Sequence, residues 1–502
     1  MNTKTDVPLA NSYASSHVAK AMQSVQAAVA HAEADPERPI YHFLPPANWM
    51  NDPNGPIYYN GWYHLFYQHN PFGDDWGYMH WGHARSRDLV HWEHMPIALP
   101  PAYEAGEEHV YSGCARVNES GELLLVYTSV KTGTREDRPN NEQWAARPLD
   151  AELITWERHP ANPVLALETH GGPAFHKEWR DPFIFTADGR SFLVLAGETE
   201  DTLEVALYEA VDGSLTRWQY RGPLVREPRV DRRRFLECPN FVQAPPSEPG
   251  GKGKWILLTS PYSFVEYTTG EFDTGALTFT PEQHGILDAG HSDVPNFYAT
   301  NVLDDAAGNC VLLGWARGFA QDRGWAGALA LPRLLTVAAD GKPRQQPLPA
   351  LQSLRGRQTS LKPFTVENGS MVAPGVGGDA LEIQTTLRLE PPAGSGLRMK
   401  RASAAGLRVR SSGDGQRGIE IRWDGSTLTV AGSAAALPAE PGSELTLDVF
   451  LDKSLLEVFA NGGRVAMTRI IYPPAGDLAV EVFAEQGTAY VDALDVWEMK
   501  GI

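Results

Sequence analysis

The chain has 502 residues, of which 42% are apolar and 21% are charged, a composition typical of a folded protein of two or three domains. Its 43 Lys and Arg against 62 Asp and Glu give a net charge of −19. This charge disfavours nucleic acid and anionic membranes as partners and favours a small neutral or cationic molecule. No apolar run is long enough for a membrane span or a signal peptide, so we expect a soluble cytoplasmic protein. The three cysteines lack C-x-x-C spacing, so we expect free thiols.

The first segment, residues 1–38, contains one predicted helix. Apolar residues recur at helical spacing over residues 16–34, among them Val18, Val25 and Val29, and the sequence DPERP then ends the pattern. We expect this amphipathic helix to be irregular or loosely attached to the rest of the chain.

A unit of about 60 residues occurs five times between residues 40 and 345. Each unit contains an apolar, strand-like run, and the runs start 60, 69, 64 and 55 residues apart: WYHLFYQ (62–68), ELLLVYTS (122–129), SFLVLAG (191–197), WILLTSPY (255–262) and CVLLGWAR (310–317). An aromatic residue keeps nearly the same step, at Trp92, Trp156, Trp218 and Phe279. Units of several strands at this period are typical of β-propeller blades. The repeat therefore predicts a five-bladed β-propeller over residues 39–345.

After a Pro- and Gln-rich stretch (GKPRQQPLPALQSL), the repeat ends, and apolar and polar residues alternate with a period of two. Turns such as Asp424-Gly425 and Asn461-Gly462 join these runs as hairpins. The pattern predicts a two-sheet β-sandwich over residues 355–502. The predicted fold class is therefore all-β: a propeller and a C-terminal sandwich, preceded by a short helix.

Three acidic residues fall at nearly the same place in their units: Asp52 in the first, Asp181 in the third and Glu237 in the fourth. Equivalent positions of a propeller face one axis, so these carboxylates are expected to converge at one mouth of the central channel. Such a set suits glycoside cleavage, in which one carboxylic acid protonates the leaving oxygen and one carboxylate attacks the anomeric carbon or activates water. Tryptophans and amides in the first unit, such as Trp49 and Asn70, suit sugar binding.

Four motifs lie at or near these acids: WMNDPNG (49–55), WGYMHWGH (76–83), WRDP (179–182) and ECP (237–239). They are similar to the nucleophile, W-G-x-x-x-W-G-H, R-D-P and E-C motifs of glycoside hydrolase family 32, the invertases and fructan β-fructosidases. The sequence FLDKSLLEVFAN (450–461) is similar to that family's sandwich domain. The resemblance implies a retaining β-D-fructofuranosidase that acts on sucrose or short fructans and needs neither a cofactor nor a metal.

The resemblance also implies a role for each matching residue. Asp52 corresponds to the nucleophile, Glu237 to the general acid/base, and Asp181 to a carboxylate that binds fructose hydroxyls without reacting. The substrate-binding set comprises Asn51, Gln68, Trp76, Tyr111, Ser112, Arg180 and Cys238. The segment YSGC (111–114) departs from the family, which commonly has Trp or Phe first and Ser last, so we expect the pocket wall to differ there.

Two other clusters suggest binding sites. Six histidines, at positions 64, 69, 80, 83, 91 and 94, suggest a metal site. However, pairs three residues apart on a strand point to opposite faces, so no metal site is predicted. The run DRRR (231–234) suggests either a sugar-phosphate site or a solvated strand edge.

Several other functions stay open at the level of sequence. A fructosyltransferase and a sucrose-6-phosphate hydrolase would use the same residues. An inverting five-bladed glycosidase acting on arabinan or xylan would need more widely separated carboxylates, and a non-catalytic sugar-binding propeller would be expected to lack at least one of the three acids. The sequence also leaves open the choice among sucrose, sucrose phosphate, inulin and levan, and that between a monomer and a homodimer.

Overall fold

The computed structural model describes residues 9–131, 133, 140–176, 178–230, 234–289, 295–390, 400–438 and 444–502. It consists mainly of β-strands, which form a five-bladed propeller followed by a β-sandwich, so the predicted fold class is confirmed. Two short 3₁₀ helices, Tyr103–Ala105 and Pro349–Leu354, lie between strands. Within the described part of the chain, no helix combines the length and apolar character needed to span a membrane.

The N-terminal helix, α1 (Leu9–Glu33), begins before its predicted start and packs against the propeller. Ala21, Val25 and Ala32 are buried, and the last two share an apolar cluster with Trp325. The expectation of a loosely attached segment is therefore wrong for the described helix. The apolar residues of the helix pack where the first and last blades of the propeller meet. The spacing of residues in the sequence does not predict this contact.

The first three blades are antiparallel sheets in which the chain runs from the innermost strand outward. Blade I contains β1 (Asn48–Tyr59), β2 (Trp62–Asn70), β3 (His80–Ser86) and β4 (Trp92–Leu99). Blade II contains β5 (Glu107–Val117), β6 (Leu123–Lys131), β7 (Asn141–Pro148) and β8 (Trp156–Arg158). Blade III contains β9 (Trp179–Ala187), β10 (Arg190–Glu198), β11 (Thr202–Ala210) and β12 (Trp218–Pro228).

The last two blades complete the ring. Blade IV contains β13 (Glu237–Ala244), β14 (Lys254–Ser260), β15 (Glu266–Asp273) and β16 (Thr278–Ile286). The strands that follow are β17 (Phe297–Asp304), β18 (Cys310–Ala316), β19 (Trp325–Ala326), β20 (Ala328–Leu329), β21 (Arg333–Val337) and β22 (Pro343–Pro347). All of these belong to blade V except β19, which pairs in parallel with β1 of blade I. This pairing closes the propeller, and the first strands of neighbouring blades contact one another around the axis.

The five apolar runs of the repeat form the second strands, β2, β6, β10, β14 and β18, as predicted. These strands are buried on both faces because neighbouring blades cover them; in β10, for example, Phe192 to Ala196 are all buried. The repeated aromatic residues lie at or next to the start of the outermost strands of blades I to IV. The period of the sequence is therefore the period of the blades.

Eleven strands form the C-terminal sandwich. They are β23 (Arg355–Leu361), β24 (Phe364–Gly377), β25 (Ala380–Arg388), β26 (Ala404–Ser411), β27 (Ile419–Trp423), β28 (Thr427–Val430), β29 (Ser433–Ala436), β30 (Leu445–Asp452), β31 (Leu455–Ala460), β32 (Val465–Ile470) and β33 (Ala479–Met499). The long β33 pairs with β26 through its first half and with β25 through its second half. It therefore belongs to both faces of the sandwich, whose inward side chains form one apolar core.

A buried charge cluster joins the propeller to the sandwich. The ring of His42 lies 2.8 Å from Asp452 Oδ2 through Nδ1 and 3.2 Å from Glu457 Oε1 through Nε2. Arg333 donates to Glu457 Oε2 at 2.8 Å and to Asp288 Oδ2 at 3.0 Å. Burial by itself would lower the pKa of His42, but these carboxylate contacts raise it to about 9. The two units therefore meet through paired charges that are shielded from water.

Candidate active site

Each innermost strand of the propeller contains a β-bulge at the same level of the channel. In each one, two residues oppose a single residue on the next strand. The bulged pairs, in blade order, are Asn51–Asp52, Tyr111–Ser112, Asp181–Pro182, Cys238–Pro239 and Ala299–Thr300. A bulge bends its strand and re-aims the side chains. Accordingly, Asp181, Cys238 and Ala299 have positive φ values of 67°, 48° and 45°.

The three acids lie at successive positions of these bulges. Glu237 is the last paired residue before the bulge of blade IV, Asp181 is the first bulged residue of blade III, and Asp52 is the second bulged residue of blade I. The sequence repeat predicted nearly equivalent positions for the three acids. The strand register shows that each acid is shifted by one residue relative to the next. Because of this stagger, each carboxylate has a different set of neighbours.

Asp52 is held by an amide and a hydroxyl donor from two blades. Ser112 Oγ donates to its Oδ2, and Asn51 Nδ2 donates to its Oδ1 at 3.0 Å. Gln68, which lies opposite the bulge, accepts from Asn51 at 2.9 Å and donates to Ser112 at 2.6 Å. Hydrogen bonds donated to a carboxylate favour its ionised form. The network therefore orients Asp52 and supports its negative charge.

Asp181 is the most enclosed of the three acids, with 5% of its surface exposed. Its Oδ2 accepts from the backbone N–H of Cys238 at 3.1 Å and lies 3.5 Å from Arg180 Nε. Its own backbone N–H donates to Thr128 Oγ1 at 3.0 Å. The Cys238 thiol lies 3.4 Å from Asp52 Oδ2 and 3.8 Å from Asp181 Oδ2. One sulfur atom thus contacts carboxylates from two different blades.

Both carboxylate oxygens of Glu237 accept hydrogen bonds. Arg180 Nη2 donates to Oε1 at 2.8 Å, and the Tyr298 hydroxyl donates to Oε2 at 2.6 Å. Arg180 also donates to Tyr262 at 2.7 Å and pairs with Glu178. The Glu237 side chain is 19% exposed. Glu237 is therefore fixed in orientation yet accessible from the channel mouth.

Burial and like charge raise the pKa of two of the acids. Burial, and next the charge of Glu237, raises the pKa of Asp52 despite the bonds from Ser112 and Asn51. Burial raises the pKa of Asp181 to about 7, although Arg180 opposes this effect. These carboxylates share a site that disfavours full ionisation, as is common where carboxyl groups act as acids and bases.

Exposed aromatic rings flank the opening above the acids. Trp76 is 50% exposed, and its ring centroid lies 6.2 Å from that of Tyr111 in the bulge of blade II. On the other side, Tyr262 is 46% exposed and bonds to Arg180. Aromatic faces beside carboxylates and amides provide the apolar and polar contacts that a sugar ring requires. All ten predicted site residues thus form one connected cluster.

Comparison with known proteins identifies the family. Residues 42–347 match the family model for the glycosyl hydrolases family 32 N-terminal domain, and residues 350–498 match the model for the family 32 C-terminal domain. The chain belongs to glycoside hydrolase family 32.

This family 32 glycoside hydrolase is 29% identical to the sucrose-6-phosphate hydrolase of Escherichia coli over 483 residues, which cover 92% of this chain and 94% of that protein. It is 30% identical to the levanase of Bacillus subtilis over 509 residues, which cover 93% of this chain and 71% of that protein. Among solved structures, fructan 1-exohydrolase IIa of Cichorium intybus in complex with 1-kestose is similar, with a TM-score of 0.80 and 25% identity over 93% of this chain and 98% of that one.

Sequence reasoning missed two residues that contact the acids of this family 32 enzyme. Tyr298 and Thr128 bond to Glu237 and to the backbone of Asp181, respectively. A signal for Tyr298 was present, because NFYATNV (296–302) occupies the same place in its unit as the motif that contains Glu237. Strand register shows that Tyr298 is the blade V counterpart of Glu237.

The unusual segment YSGC (111–114) has a simple structural explanation. Tyr111 and Ser112 face the site, whereas Cys114 is buried in the core cluster that contains Phe183. Burial raises the pKa of the Cys114 thiol to about 12, so this thiol stays neutral. The expected departure in the pocket wall is therefore limited to Tyr111. All three cysteines are free, as predicted.

The clustered histidines make structural contacts inside blade I. His64 Nδ1 and His83 Nε2 lie 3.1 Å apart, and His69 bonds to the Trp49 carbonyl at 2.7 Å. Burial lowers the pKa of His64 and His69 to about 4, which keeps both rings neutral. Among the described residues, no three His, Cys, Asp or Glu side chains are grouped so as to hold a metal.

The basic run 231–234 lies largely outside the described residues, with Arg234 as its described member. Arg234 Nε donates to Glu227 at 2.7 Å, and its two terminal nitrogens donate to both oxygens of Glu266 at 2.9 and 2.6 Å. A guanidinium that is already paired with two carboxylates has little remaining attraction for a phosphate. The hypothesis of a sugar-phosphate site receives no support from Arg234.

Proposed function

We propose that this family 32 enzyme is a retaining β-fructofuranosidase that hydrolyses terminal, non-reducing β-fructofuranosides such as sucrose and short fructans. The observation that carries the proposal is the convergence of two carboxylates, Asp52 and Glu237, at one opening, where each is held in a fixed orientation by donors from its own or neighbouring blades. Asp52 accepts bonds from Ser112 and Asn51, which suit an ionised nucleophile. Glu237 is accessible and held in one orientation by Arg180 and Tyr298, which suits a group that passes a proton to the substrate.

In the first step, Glu237 gives its proton to the oxygen that links fructose to the leaving sugar. The bond between that oxygen and the anomeric carbon breaks as a carboxylate oxygen of Asp52 bonds to the same carbon from the opposite face. The leaving sugar departs as a neutral alcohol, and a fructosyl ester of Asp52 is formed. Glu237 is now ionised, and the positive charge of Arg180 stabilises it at 2.8 Å.

In the second step, a water molecule replaces the leaving sugar. Ionised Glu237 takes a proton from this water as its oxygen bonds to the anomeric carbon, and the ester bond to Asp52 breaks. Two displacements restore the original configuration at the anomeric carbon. When the hydroxyl of a sugar acts in place of water, the same residues perform fructosyl transfer, so the ratio of hydrolysis to transfer depends on how acceptors bind at the mouth.

Asp181 has a different task in this proposal. It lies deep between Arg180 and Cys238, where it accepts hydrogen bonds from fructose hydroxyls. Its negative charge also stabilises the positive charge that develops on the sugar ring in the transition state. We assign the remaining predicted residues, from Asn51 to Cys238, to the walls of the fructose pocket, and we place the whole catalytic unit in residues 39–345.

Replacement of the nucleophile tests the proposal. Asp52→Ala should lower kcat for sucrose by about 10⁴-fold or more, and azide, which fits the vacated space, should restore turnover and yield the inverted fructosyl azide. With wild-type enzyme, methanol should yield the β-fructoside, the retained product. Asp305→Ala is the control and should keep full activity, because Asp305 accepts the backbone N–H groups of Ala307 and Asn309 in a surface turn that follows the far end of the innermost strand β17. Near wild-type turnover by Asp52→Ala would refute the assignment, and inverted methanolysis by wild type would favour an inverting enzyme.

A panel of substrates tests which leaving group the enzyme prefers. Initial rates on sucrose, 1-kestose, inulin, levan and sucrose 6-phosphate measure the preference directly. Because Arg234 is neutralised by Glu227 and Glu266, we expect phosphorylation of sucrose not to raise kcat/KM. A tenfold gain, equivalent to about 1.4 kcal/mol of transition-state binding, would instead identify the enzyme as a sucrose-6-phosphate hydrolase.

A further inference from the structure

A second cavity lies at the far ends of the innermost strands. Its volume is about 580 Å³, and residues from all five blades line it. Five of them occupy the same register position on β1, β5, β9, β13 and β17: Ile57, Arg116, Thr186, Gln243 and Asp304. The three acids lie near the starts of their strands, so this cavity is at the opposite mouth of the channel. Its volume is typical of sites for small molecules.

Buried amide side chains bridge the channel between the acids and this cavity. Asn301, which lines the cavity, donates through Nδ2 to the carbonyls of Pro53 and Gly113 at 3.2 and 3.1 Å. One side chain of blade V thus binds blades I and II across the axis. Thr300 donates to the buried Asn240 of blade IV at 2.9 Å. The cavity is therefore distinct from the site around Asp52.

Two opposite charges line the cavity without contacting each other. Arg116 Nη2 donates to Thr186 Oγ1. Among the residues that the structure describes, neither Arg116 nor Asp304 forms an ion pair. Burial raises the pKa of Asp304, and the charge of Arg116 opposes this effect, so the two groups interact across the space between them. A guanidinium and a carboxylate in this arrangement offer charge-assisted hydrogen bonds to a third molecule.

Aromatic side chains supply the apolar part of the lining. Tyr58 is 41% exposed, and its ring centroid lies 4.8 Å from that of Tyr63. The Tyr63 hydroxyl accepts from the Ala306 N–H at 3.1 Å, which holds this pair of rings in place. Phe185 and Trp255, with ring centroids 5.5 Å apart, also line the cavity. Aromatic surface beside charged and amide groups suits a ligand that has both C–H faces and hydroxyl groups.

We propose that this cavity is a second sugar-binding site, which takes a neutral mono- or disaccharide. Hydroxyl groups of the sugar accept from Arg116 and donate to Asp304, and an apolar face of the ring packs against Tyr58. Asp304 would repel an anion, and Arg116 would repel a cation. An uncharged molecule that both donates and accepts hydrogen bonds satisfies the two groups together. The inference goes beyond the proposed catalytic function and does not depend on it.

Equilibrium dialysis with radiolabelled sucrose tests the proposal. The background is Asp52→Ala, in which sucrose is not consumed. We expect a second sucrose to bind in addition to the one in the fructose pocket. Adding Arg116→Met should weaken the second binding event about tenfold or more and leave the first unchanged. Arg217→Met is the matched control, because Arg217 is 68% exposed, pairs with Asp212 and lies in the link from β11 to β12 at the same end of the propeller. It should leave both binding events unchanged.

A second variant makes the test independent of Arg116. Asp304→Asn keeps the shape of the side chain and removes its charge, and it should weaken the second binding event about tenfold. Unchanged affinity of the first binding event shows that each variant is folded. It also keeps the test available if Arg116→Met does not fold.

The outcomes separate this proposal from the proposed function. Binding of a single sucrose that neither Arg116→Met nor Asp304→Asn weakens would overturn the second site. Tighter binding of a zwitterionic amino acid such as serine than of sucrose at the second site would overturn the ligand class. A single sucrose whose binding both variants weaken would support the second site and refute the fructose pocket at Asp52 instead.

Discussion

Tyr298 in blade V donates a 2.6 Å hydrogen bond to Oε2 of Glu237 in blade IV. The two residues occupy the same register position of neighbouring inner strands. Arg180, at that position in blade III, donates to the other oxygen of Glu237. Burial raises the pKa of the Tyr298 phenol, so it remains a donor at neutral pH. Blade IV thus supplies the carboxyl group, and blades III and V each supply one of its two hydrogen-bond donors.

Loss of the tyrosine hydroxyl should weaken proton transfer specifically. In Tyr298→Phe, the carboxyl group of Glu237 loses one of its two clamps, so kcat/KM for sucrose should fall about ten- to hundredfold. Fructosyl fluoride needs no proton for its leaving group and should lose much less. Tyr63→Phe is the control for loss of a tyrosine hydroxyl, which in Tyr63 accepts from the Ala306 N–H at 3.1 Å. The Tyr298 hydroxyl also contacts the Ser260 carbonyl at 2.7 Å and accepts from the Tyr262 N–H at 2.9 Å. Equal losses on both substrates would show that Tyr298 does not act through Glu237.

On fructosyl fluoride, which can be cleaved whether or not Glu237 is protonated, the acid limb of the pH profile should depend on the charge of Glu237. Asp52 must be ionised to attack, and burial together with the Glu237 charge raises its pKa above the usual 3.8. Glu237→Gln removes that charge, so the pKa of Asp52 should fall and the acid limb should move to lower pH. The profile of kcat/KM on fructosyl fluoride, which this variant still cleaves, measures the shift. An acid limb that stays in place or moves upward would contradict the electrostatic coupling.

Ionisation of the buried Asp181 should lower the free energy of unfolding at neutral and alkaline pH. Burial raises its pKa from 3.8 to about 7, so the folded state resists the ionisation that the unfolded chain undergoes freely. This penalty is absent below pH 4, grows between pH 4 and 7, and is complete above pH 7. Asp181→Asn should therefore raise the free energy of unfolding at pH 8 by about 1–3 kcal/mol, with no gain at pH 4, and should abolish turnover. Denaturant titrations at pH 4, 6 and 8 check this, and an equal effect at all three would contradict it.

His42 should stabilise the junction between propeller and sandwich in a pH-dependent way. Its pKa of about 9, against 6.5 in the unfolded chain, makes the stabilisation complete below pH 6.5 and progressively lost as the pH rises through 9. His42→Ala leaves Asp452 and Glu457 buried without this partner, which should cost about 3–5 kcal/mol near pH 6.

The matched control for His42 is an exposed histidine. The ring of His91 also contacts an aspartate, Asp88 at 2.8 Å, and His91→Ala should change the free energy of unfolding by less than about 0.5 kcal/mol. Denaturant titrations between pH 6 and 10 measure both variants. A loss for His42→Ala that does not shrink toward pH 10 would argue against a charged imidazole at the junction.

The sequence by itself determined the architecture and the chemistry-bearing residues. Five apolar runs at similar spacing predicted five blades, because each blade repeats the same burial of its second strand. Strict alternation after residue 355 predicted the sandwich, since a strand with one buried face must alternate. The motifs around Asp52, Asp181 and Glu237 carry the family pattern, and they are local in the chain, so they are legible without a structure.

The tertiary structure alone decided how these residues meet. The one-residue stagger of the acids comes from bulges whose register depends on the neighbouring strand, and Tyr298 reaches Glu237 from a blade that begins 60 residues later in the chain. Helix α1 finds its apolar partner only after Trp325 has returned beside β1 to close the ring. One such contact, between Asp35 and Trp325, joins residues that are 290 positions apart in the chain. The geometry of these contacts follows from closure of the propeller, and no local pattern of side chains records it.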